Sequence, residues 1–292
     1  CNQGFKNLVC SAHIINKYLY WFLKDKTDYL NSLGRGATFK EISKAIVQSI
    51  ELPLPPLDEQ KRIAKNLDLA SEIAKGYKEQ LAELDKLVQS VFYEMFGDPV
   101  TNEKGWEMQS LQSVCDVRDG THDSPAYVAE GYPLVTSKNV SQGYIDFFTT
   151  NLISQKDLIK INQRSKVDKG DIIMPMIGTI GNPVIVNVDR EFAVKNVAII
   201  KFAGSIMCNI FIKTLLSSSF FENATQKANR GGTQKFIALG DIRKLSIPIP
   251  PSDVQTRFAS IVTEIESQKE QVQKALTEAE NLFNSLMQEY FE

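Results

Sequence analysis

The sequence repeats itself once, at a fixed offset of 195 residues. The motif LPLPP at residues 52–56 returns as IPIPP at residues 247–251. Further identical residues follow the two motifs at matching positions: Asp58, Gln60 and Arg62 in the first copy, and Asp253, Gln255 and Arg257 in the second. Self-similarity at a fixed period indicates an architecture built from duplicated units. A period this long predicts a duplicated domain and helix rather than a solenoid of short repeats.

Each proline motif is followed by apolar residues at alternating spacings of three and four, which is typical of a coiled coil. At 1.5 Å per residue, the stretch from Ile63 to Met95 would form a rod of about 48 Å. The prolines fix the start of each helix, and Gly97-Asp98-Pro99 ends the first. Lys269 is the one polar residue at the positions of this apolar pattern in the two helices. We therefore predict two long helices that pack against each other within one chain as a spacer, the alternative being rods that only dimerise another structure.

Between the helices, short apolar runs predict an α/β (α+β) domain. Four runs bounded by glycines or charged residues read as strands, at residues 132–135, 171–174, 183–186 and 196–200. A helix is predicted over residues 210–224. Three aromatic side chains near one of the loops are predicted to lie in the core: Tyr144, Phe147 and Phe148.

The loops of this domain are polar and contain glycine, so they offer backbone N–H groups, hydroxyls and cations, which hold phosphates and read base edges. The RGGT sequence at 230–233 is echoed by RGAT at 35–38. A helix-capping turn explains the RGGT sequence about as well as a phosphate contact does. A second loop contains Gly178 and Gly181, whose spacing suits a simple hairpin turn as well as a ligand contact. We predict DNA contacts from ten loop residues: Arg118, Thr121, His122, Lys138, Asn139, Thr179, Arg230, Thr233, Gln234 and Lys235.

Composition narrows the classes of function. No apolar run approaches the length needed to span a bilayer. The four cysteines show no C-x-x-C spacing and there are two histidines, so we expect free cytosolic thiols and no zinc site. No phosphate-binding glycine loop, metalloprotease or nucleophile-elbow motif is present. The chain is therefore not expected to be an enzyme. Its net charge of −2 does not by itself predict nucleic-acid binding.

Together these residues resemble the specificity (S) subunit family of type I restriction–modification systems, over essentially the whole chain. The proline motif followed by a long helix, occurring twice around one domain, is the specific part of the resemblance. Other sequences add to it: VFYEMFGDP at 91–99, Trp106 and Leu111, DGTH at 119–122, KGDII at 169–173, and RGGTQKFI at 230–237.

The resemblance implies a role in defence against foreign DNA. Such subunits alternate two target-recognition domains with two helices that pair as an antiparallel coiled coil. Each domain reads half of a bipartite double-stranded DNA site, and the helices set the gap between the halves. Modification (methyltransferase) subunits carrying S-adenosylmethionine dock on them, and a restriction subunit joins. We accordingly expect no cofactor on this chain itself and a cytoplasmic location in a bacterium or archaeon.

We predict four segments. Residues 1–56 would be the C-terminal remnant of a first target-recognition domain, 57–97 the first spacer helix, 98–251 the second target-recognition domain, and 252–292 the second spacer helix. The partner subunits are expected on the helices, at Arg62, Tyr77, Phe92, Arg257 and Phe283. Phe5-Lys6-Asn7-Leu8-Val9 resembles residues 194–198, so most of a first domain is expected to be absent, and two truncated copies could pair as a homodimer.

Two other classes of function stay open. A coiled-coil scaffold could bind partner proteins but not DNA. A nuclease or methyltransferase fragment is the second rival, and the absent catalytic motifs disfavour it.

Overall fold

The computed structural model describes residues 5–34, 41–140, 143–178, 180–228 and 236–291. They divide into two compact units. Unit 1 comprises the described residues up to Leu84 together with those from Ser267 onward, and unit 2 comprises Asp85–Glu266. Each of the two long helices thus has residues in both units, whereas the predicted segments begin or end at the ends of these helices.

Unit 1 is helical. Its elements are α1 (Asn16–Asp25), α2 (Thr27–Leu33), α3 (Lys44–Gln48) and the first part of α4 (Leu57–Phe96). Helix α4 begins directly after the two prolines, which cannot continue a helix backwards, and carries Asp58 and Glu59 in its first turn, where the helix dipole favours negative charge. It ends at Phe96, and the next residue, Gly97, has a φ of 74°, which glycine adopts most easily.

Unit 2 contains every strand of the described residues and most of the short helices. The strands are β1 (Glu107–Ser110), β2 (Asp116–Asp119), β3 (Tyr127–Val128), β4 (Tyr132–Thr136), β5 (Asn151–Ile153), β6 (Ile172–Pro175), β7 (Val184–Ile185), β8 (Ala193–Lys195), β9 (Val197–Lys201) and β10 (Ser246–Ile249). The helices are α5 (Leu111–Val114), α6 (Ser137–Val140), α7 (Gln155–Ser165), α8 (Asn209–Leu216), α9 (Ser219–Ala228), α10 (Leu239–Arg243) and α11 (Ser252–Phe291), whose last part belongs to unit 1.

The strands form three sheets, in the orders β1-β10, β2-β9-β6-β7 and β3-β5-β4-β8. All pairings are antiparallel except β4 with β8. Strands β6 and β9 are buried on both faces and apolar except for Lys201 at the end of β9, which explains why their sequences show no alternation. The mixed α/β domain and the two long helices predicted from the sequence are confirmed.

Three local predictions need correction. The helix expected over residues 210–224 is two helices, α8 and α9, because the chain leaves the helical path at Ser217 and Ser218. The strand expected at 196–200 is β9 and begins one residue later, at Val197, since Asn196 has a positive φ of 57° and separates β8 from β9. Phe148 was expected in the core but is fully exposed, and more than half of the Tyr144 surface is exposed as well.

The two units bury matching helix positions at the offset of the sequence repeat: Phe96 and Phe258 in unit 2, Phe291 and Ile63 in unit 1. In unit 2, the Phe96 ring lies 4.7 Å from that of Phe211 on α8 and 5.1 Å from that of Phe258 on α11. In unit 1, Phe291 lies 5.6 Å from Tyr18 on α1, and Ile63 joins the same buried cluster. Because the same positions are buried in both copies, the repeat is a repeat of packing as well as of sequence.

A buried glutamine organises each copy. Gln60 Nε2 donates to the carbonyl of Pro55 at 2.8 Å, and its Oε1 accepts from the backbone N–H of Ile15, which caps α1. Gln255 Nε2 likewise donates to the carbonyl of Pro250 at 2.8 Å, and its Oε1 accepts from Cys208, which caps α8. The repeated glutamine therefore ties each proline motif to the first turn of a neighbouring helix.

The long helices run antiparallel where they pair. In unit 1, Lys78 Nζ lies 2.7 Å from Glu280 Oε1, while Asn66 Nδ2 donates to the Tyr290 hydroxyl at 3.0 Å. Residue numbers fall on α11 as they rise on α4, which is the antiparallel order. Ala74 packs in a small buried cluster with α11 residues, so apolar contacts accompany the polar ones. The coiled-coil arrangement expected from the apolar spacing is confirmed.

Candidate nucleic-acid interface

Three loops of unit 2 gather at the ends of the parallel strands β4 and β8. Thr136 and Lys195 are register partners at these ends, and Thr121 forms a bridge to Lys195. Thr121 N–H donates to the carbonyl of Val194 at 2.9 Å. This approach needs glycine at position 120, because a Cβ there would lie 2.5 Å from the Val194 carbonyl oxygen.

We call this surface the loop edge and define it as residues 119–124, 137–138 and 195–196. A hydrogen bond of 2.9 Å from Ser137 Oγ to the Asn196 carbonyl joins two of its loops. Thr121, His122 and Lys138 of the predicted DNA-contacting residues lie on it. The strand ends bring these three residues to one side of the domain although they are separate in the sequence.

His122 is held between two oxygen acceptors. Its Nε2 lies 2.8 Å from Asp119 Oδ2, and its Nδ1 lies 3.0 Å from Asn196 Oδ1. The hydrogen bond with Asn196, followed by that with Asp119, raises the pKa of His122. Two acceptors favour the doubly protonated ring, which donates from both nitrogens. His122 was predicted to contact DNA; in this arrangement both of its ring nitrogens already have partners, and the raised pKa favours the charged ring over a neutral ring that would read a base edge.

Asp119 is the centre of this network. Its Oδ1 accepts from Arg164 Nη2 at 2.7 Å, and its backbone carbonyl accepts from Ser165 Oγ at 2.8 Å. Asp119 lies in the DGTH motif but was not assigned a role from the sequence. Arg164 and Asn196 were missed altogether, because they lie 45 and 74 residues from the groups they bind and carry no local motif.

Two of the predicted contacts are used inside the domain. Asn139 is buried, and its Oδ1 accepts from Thr136 N–H and hydroxyl, both at 2.8 Å. Its Nδ2 donates to Thr149 Oγ1, so the side chain positions a loop and does not read a base in this structure. Arg118 Nε donates to Asp116 at 2.8 Å and Arg118 Nη1 to the Arg164 carbonyl, and the guanidinium stays partly exposed beside the loop edge.

Further cations that sequence reasoning missed lie at the same surface. Lys195 Nζ donates to Ser124 Oγ, and Lys160 Nζ lies 3.8 Å from Asp123 in an exposed pair. The remaining predicted contacts are outside the described residues and stay predictions: Thr179, Arg230, Thr233, Gln234 and Lys235.

Three cysteines lie among the described residues, and all three are free thiols: Cys10, Cys115 and Cys208. Burial raises the pKa of the Cys115 thiol. Within the described ranges, no group of three or more His, Cys, Asp or Glu side chains is placed to hold a metal ion. None of the helices in that part of the chain is long and apolar enough to cross a membrane.

The predicted partner-docking residues differ in accessibility. Arg62 is exposed, pairs with Glu59 and lies 5.7 Å from the Tyr290 ring. Arg257 is also exposed. Tyr77 and Phe283 are half-buried in the clusters of unit 1. Phe92 is fully buried among the aromatic rings of unit 2, so its assignment to a partner surface is wrong.

A different set of helix residues is both exposed and repeated. Leu87, Ser90 and Glu94 on α4 recur as Leu282, Ser285 and Glu289 on α11, and all six are exposed. Spacings of three and four place each trio on one helix face. The two leucines expose 45% and 54% of their surface, although packing does not require leucine at either position. We call each trio a repeated face.

Comparison with known proteins places the chain in a family. The family model described as "Type I restriction modification DNA specificity domain" matches residues 1–83 and 103–281. The MjaIX type I restriction enzyme specificity subunit of Methanocaldococcus jannaschii is 26% identical over 89% of this chain. The Escherichia coli EcoBI specificity subunit is 23% identical over 94% of it. The chain spans 65% of the length of each of these two relatives.

The fold is also shared with a solved structure. The type I restriction–modification system S subunit from M. genitalium superimposes with a TM-score of 0.63 at 16% identity, covering 98% of this chain and 75% of that one. The family model accounts for most of the residues, including both proline motifs and most of each long helix. The chain therefore belongs to the type I restriction–modification DNA specificity domain family.

Proposed function

We propose that this chain is a sequence-specific DNA-recognition subunit of a type I restriction–modification complex, and that unit 2 reads one half of a bipartite site. The observation that carries the proposal is the loop edge. There, three loops at the ends of strands place His122, whose hydrogen bonds favour its charged form, on the same surface as Lys138 and Lys195. Family membership supports it. In this role the chain catalyses no reaction and acts in the cytoplasm of a bacterial or archaeal cell.

The chemistry of the loop edge suits a duplex. Arginine and lysine neutralise phosphates and fix the register of a protein on DNA, whereas hydroxyl and amide groups discriminate bases. His122, Arg164 and Lys195 would serve the first purpose, and Thr121 and Ser137 the second. The strand ends and hydrogen bonds hold these groups before DNA arrives, which lowers the entropy cost of binding.

The proposal extends to partners. Two modification subunits would dock on the helices, one at each repeated face, and would carry S-adenosylmethionine, so this chain needs no cofactor of its own. A restriction subunit would join the assembly. Pairing of two copies of this chain stays a prediction. In the scaffold alternative the chain still binds the partner subunits but does not bind DNA, so an experiment that measures both kinds of binding distinguishes the two functions.

The proposed function is tested by co-expressing the chain with the modification subunit of its own operon and mapping N6-methyladenine across the host genome. We expect a defined methylated motif that is lost when His122 and Arg164 are both changed to alanine. Lys169→Ala is the matched control, because Lys169 lies before β6, at the end of that strand away from the loop edge, and forms an exposed pair with Asp189. Purification of an assembled complex that leaves no methylated motif and binds no duplex would favour the scaffold alternative.

DNA affinity is expected to depend on pH through His122. Its pKa is raised, so the ring is charged below that pKa and loses its charge as the pH rises through it. Affinity for a short duplex at fixed ionic strength should therefore fall as the pH rises through this raised pKa. The same group contributes stability below its unfolded pKa that is lost as the pH rises. Fluorescence anisotropy measures the effect, and a His122→Gln variant with an unchanged pH profile would contradict the assignment.

Each repeated face is expected to hold one modification subunit. Leu87→Asp or Leu282→Asp should leave one partner per chain, and the double variant none, because a charge would be buried without a partner in the contact. Native mass spectrometry of the purified complex gives the stoichiometry. Leu69→Asp is the control, since Leu69 is equally exposed but has Glu264 at the repeated position. Two partners on the Leu87 and Leu282 double variant would rule out these faces.

A further inference from the structure

One loop of unit 2, described over residues 143–150, presents a phenylalanine to solvent. Phe148 is fully exposed, whereas its neighbour Phe147 packs 5.5 Å from the Phe192 ring and 4.6 Å from the Arg190 guanidinium. The two adjacent phenylalanines thus differ: Phe147 is packed against the domain, and Phe148 points into solvent. Phe148 has the largest exposed fraction among the exposed large hydrophobic side chains of the described residues.

Hydrogen bonds fix the loop around Phe148. Asp146 N–H donates to the Asn139 carbonyl at 2.9 Å, and Asp146 Oδ1 accepts from Phe148 N–H at 2.9 Å. Asp146 Oδ2 accepts from Thr149 Oγ1 at 2.6 Å, and Thr149 in turn accepts from Asn139. These bonds, that from Thr149 foremost, lower the pKa of Asp146, so its carboxylate stays ionised at neutral pH. The Phe148 backbone is therefore held in place, and ordering it on binding costs little entropy.

The loop lies at the same end of the sheet as the loop edge. It leads into β5, whose first residue Asn151 is the register partner of Leu134, two residues before the last residue of β4. Its near side is tied through Asn139 to Thr136, the register partner of Lys195. Phe148 therefore stands beside the surface that carries the cations, although the two are separated in the sequence.

We propose that Phe148 is a wedge that inserts between two base pairs of the bound duplex; this rests on the proposed function of unit 2. The ring is apolar and stands on a segment, residues 146–149, that hydrogen bonds hold in place, and the neighbouring cations suit phosphates rather than an apolar protein surface. Phenylalanine wedges partly unstack a base step and kink the helix, which lets more of the protein contact the DNA. Asn139 acts as a positioning residue by holding the loop through Asp146 and Thr149.

The wedge is tested on a duplex selected from a random pool by the wild-type chain, with 2-aminopurine placed at successive steps. Wild-type protein is expected to raise the 2-aminopurine fluorescence at one step. Phe148→Ala should abolish this rise and weaken binding by roughly 10-fold or more. Tyr127→Ala is the matched control, because Tyr127 is an exposed aromatic at the opposite end of the same sheet. Its affinity and fluorescence should match wild type.

The outcomes separate the wedge from the function beneath it. No binding by the wild-type chain would overturn the proposed function and the wedge together. Tight wild-type binding without a fluorescence rise would overturn the wedge alone. A Phe148→Ala variant that binds DNA normally but loses the modification subunit would also overturn it, because the ring would then be a protein contact. Unchanged thermal unfolding of Phe148→Ala confirms that any loss comes from the interface, since the ring is fully exposed.

Discussion

Replacing Phe96 with alanine is expected to lower the free energy of unfolding of unit 2 by about 3–5 kcal/mol. Phe96 is 2% exposed and lies within 5.2 Å of Phe92, Phe211 and Phe258, measured between ring centroids. Removing the ring would leave a cavity lined by three aromatic side chains that come from α4, α8 and α11. Because these rings are held by three separate helices, they cannot all move in to fill it.

The repeat supplies a matched comparison. Phe291→Ala removes the equivalent ring in unit 1, where Phe291 is 7% exposed and contacts Tyr18 and Phe22. Its cost should be smaller, since the site is less enclosed. Native-state hydrogen exchange distinguishes the units, because the amides of Ile199 and Ile200 report unit 2. Loss of protection at those amides in Phe291→Ala but not in Phe96→Ala would contradict the assignment.

The architecture could be predicted because its signals are local or periodic. Prolines stop a helix wherever they occur, so the offset of 195 residues places the starts of α4 and α11 directly. The apolar spacing predicts that these helices pair. Even the short helices α3 and α10, which were not predicted, lie at the same offset. The repetition of glutamine at positions 60 and 255 was visible in the sequence. The reason for it, a hydrogen bond to the N–H of a helix-capping residue, required the tertiary structure.

The site was less predictable, because it is assembled by strand order. One partner of His122 is Asn196, and the antiparallel pairing of β2 with β9, in which Asp119 lies opposite Ala198, brings that residue near the DGTH loop. Asn139 reads as an exposed loop residue, yet α6 turns it inward. Phe148 was misassigned because hydrophobicity alone predicts burial, and only the bonds of Asp146 show which of two adjacent phenylalanines points outward.

A buried ion cluster at the opposite end of β9 should govern stability independently of the loop edge. Lys201 Nζ lies 2.6 Å from Asp171 Oδ2 and 2.8 Å from Asp168 Oδ2, and it donates to the Lys166 carbonyl. Asp171 and Lys201 are both buried. Burial acts to lower the pKa of Lys201, but its hydrogen bonds to the two aspartates outweigh burial and raise it. The hydrogen bond from Lys201, and then that from Lys166, lowers the pKa of Asp168.

Lys201→Met is therefore expected to cost about 3–5 kcal/mol at neutral pH, because it leaves Asp171 buried without its cation. Lys169→Met is the control, since its exposed pair with Asp189 should contribute about 0–1 kcal/mol. The lowered pKa of Asp168 gives stability that is lost as the pH falls through that pKa, and the raised pKa of Lys201 gives stability that is lost as the pH rises through it. The difference between wild type and Lys201→Met, measured by urea unfolding, should thus be largest near neutral pH and shrink towards both extremes. A pH-independent difference, or one no larger than that of Lys169→Met, would mean that the cluster is solvated and that burial of β9 alone stabilises this end of the sheet.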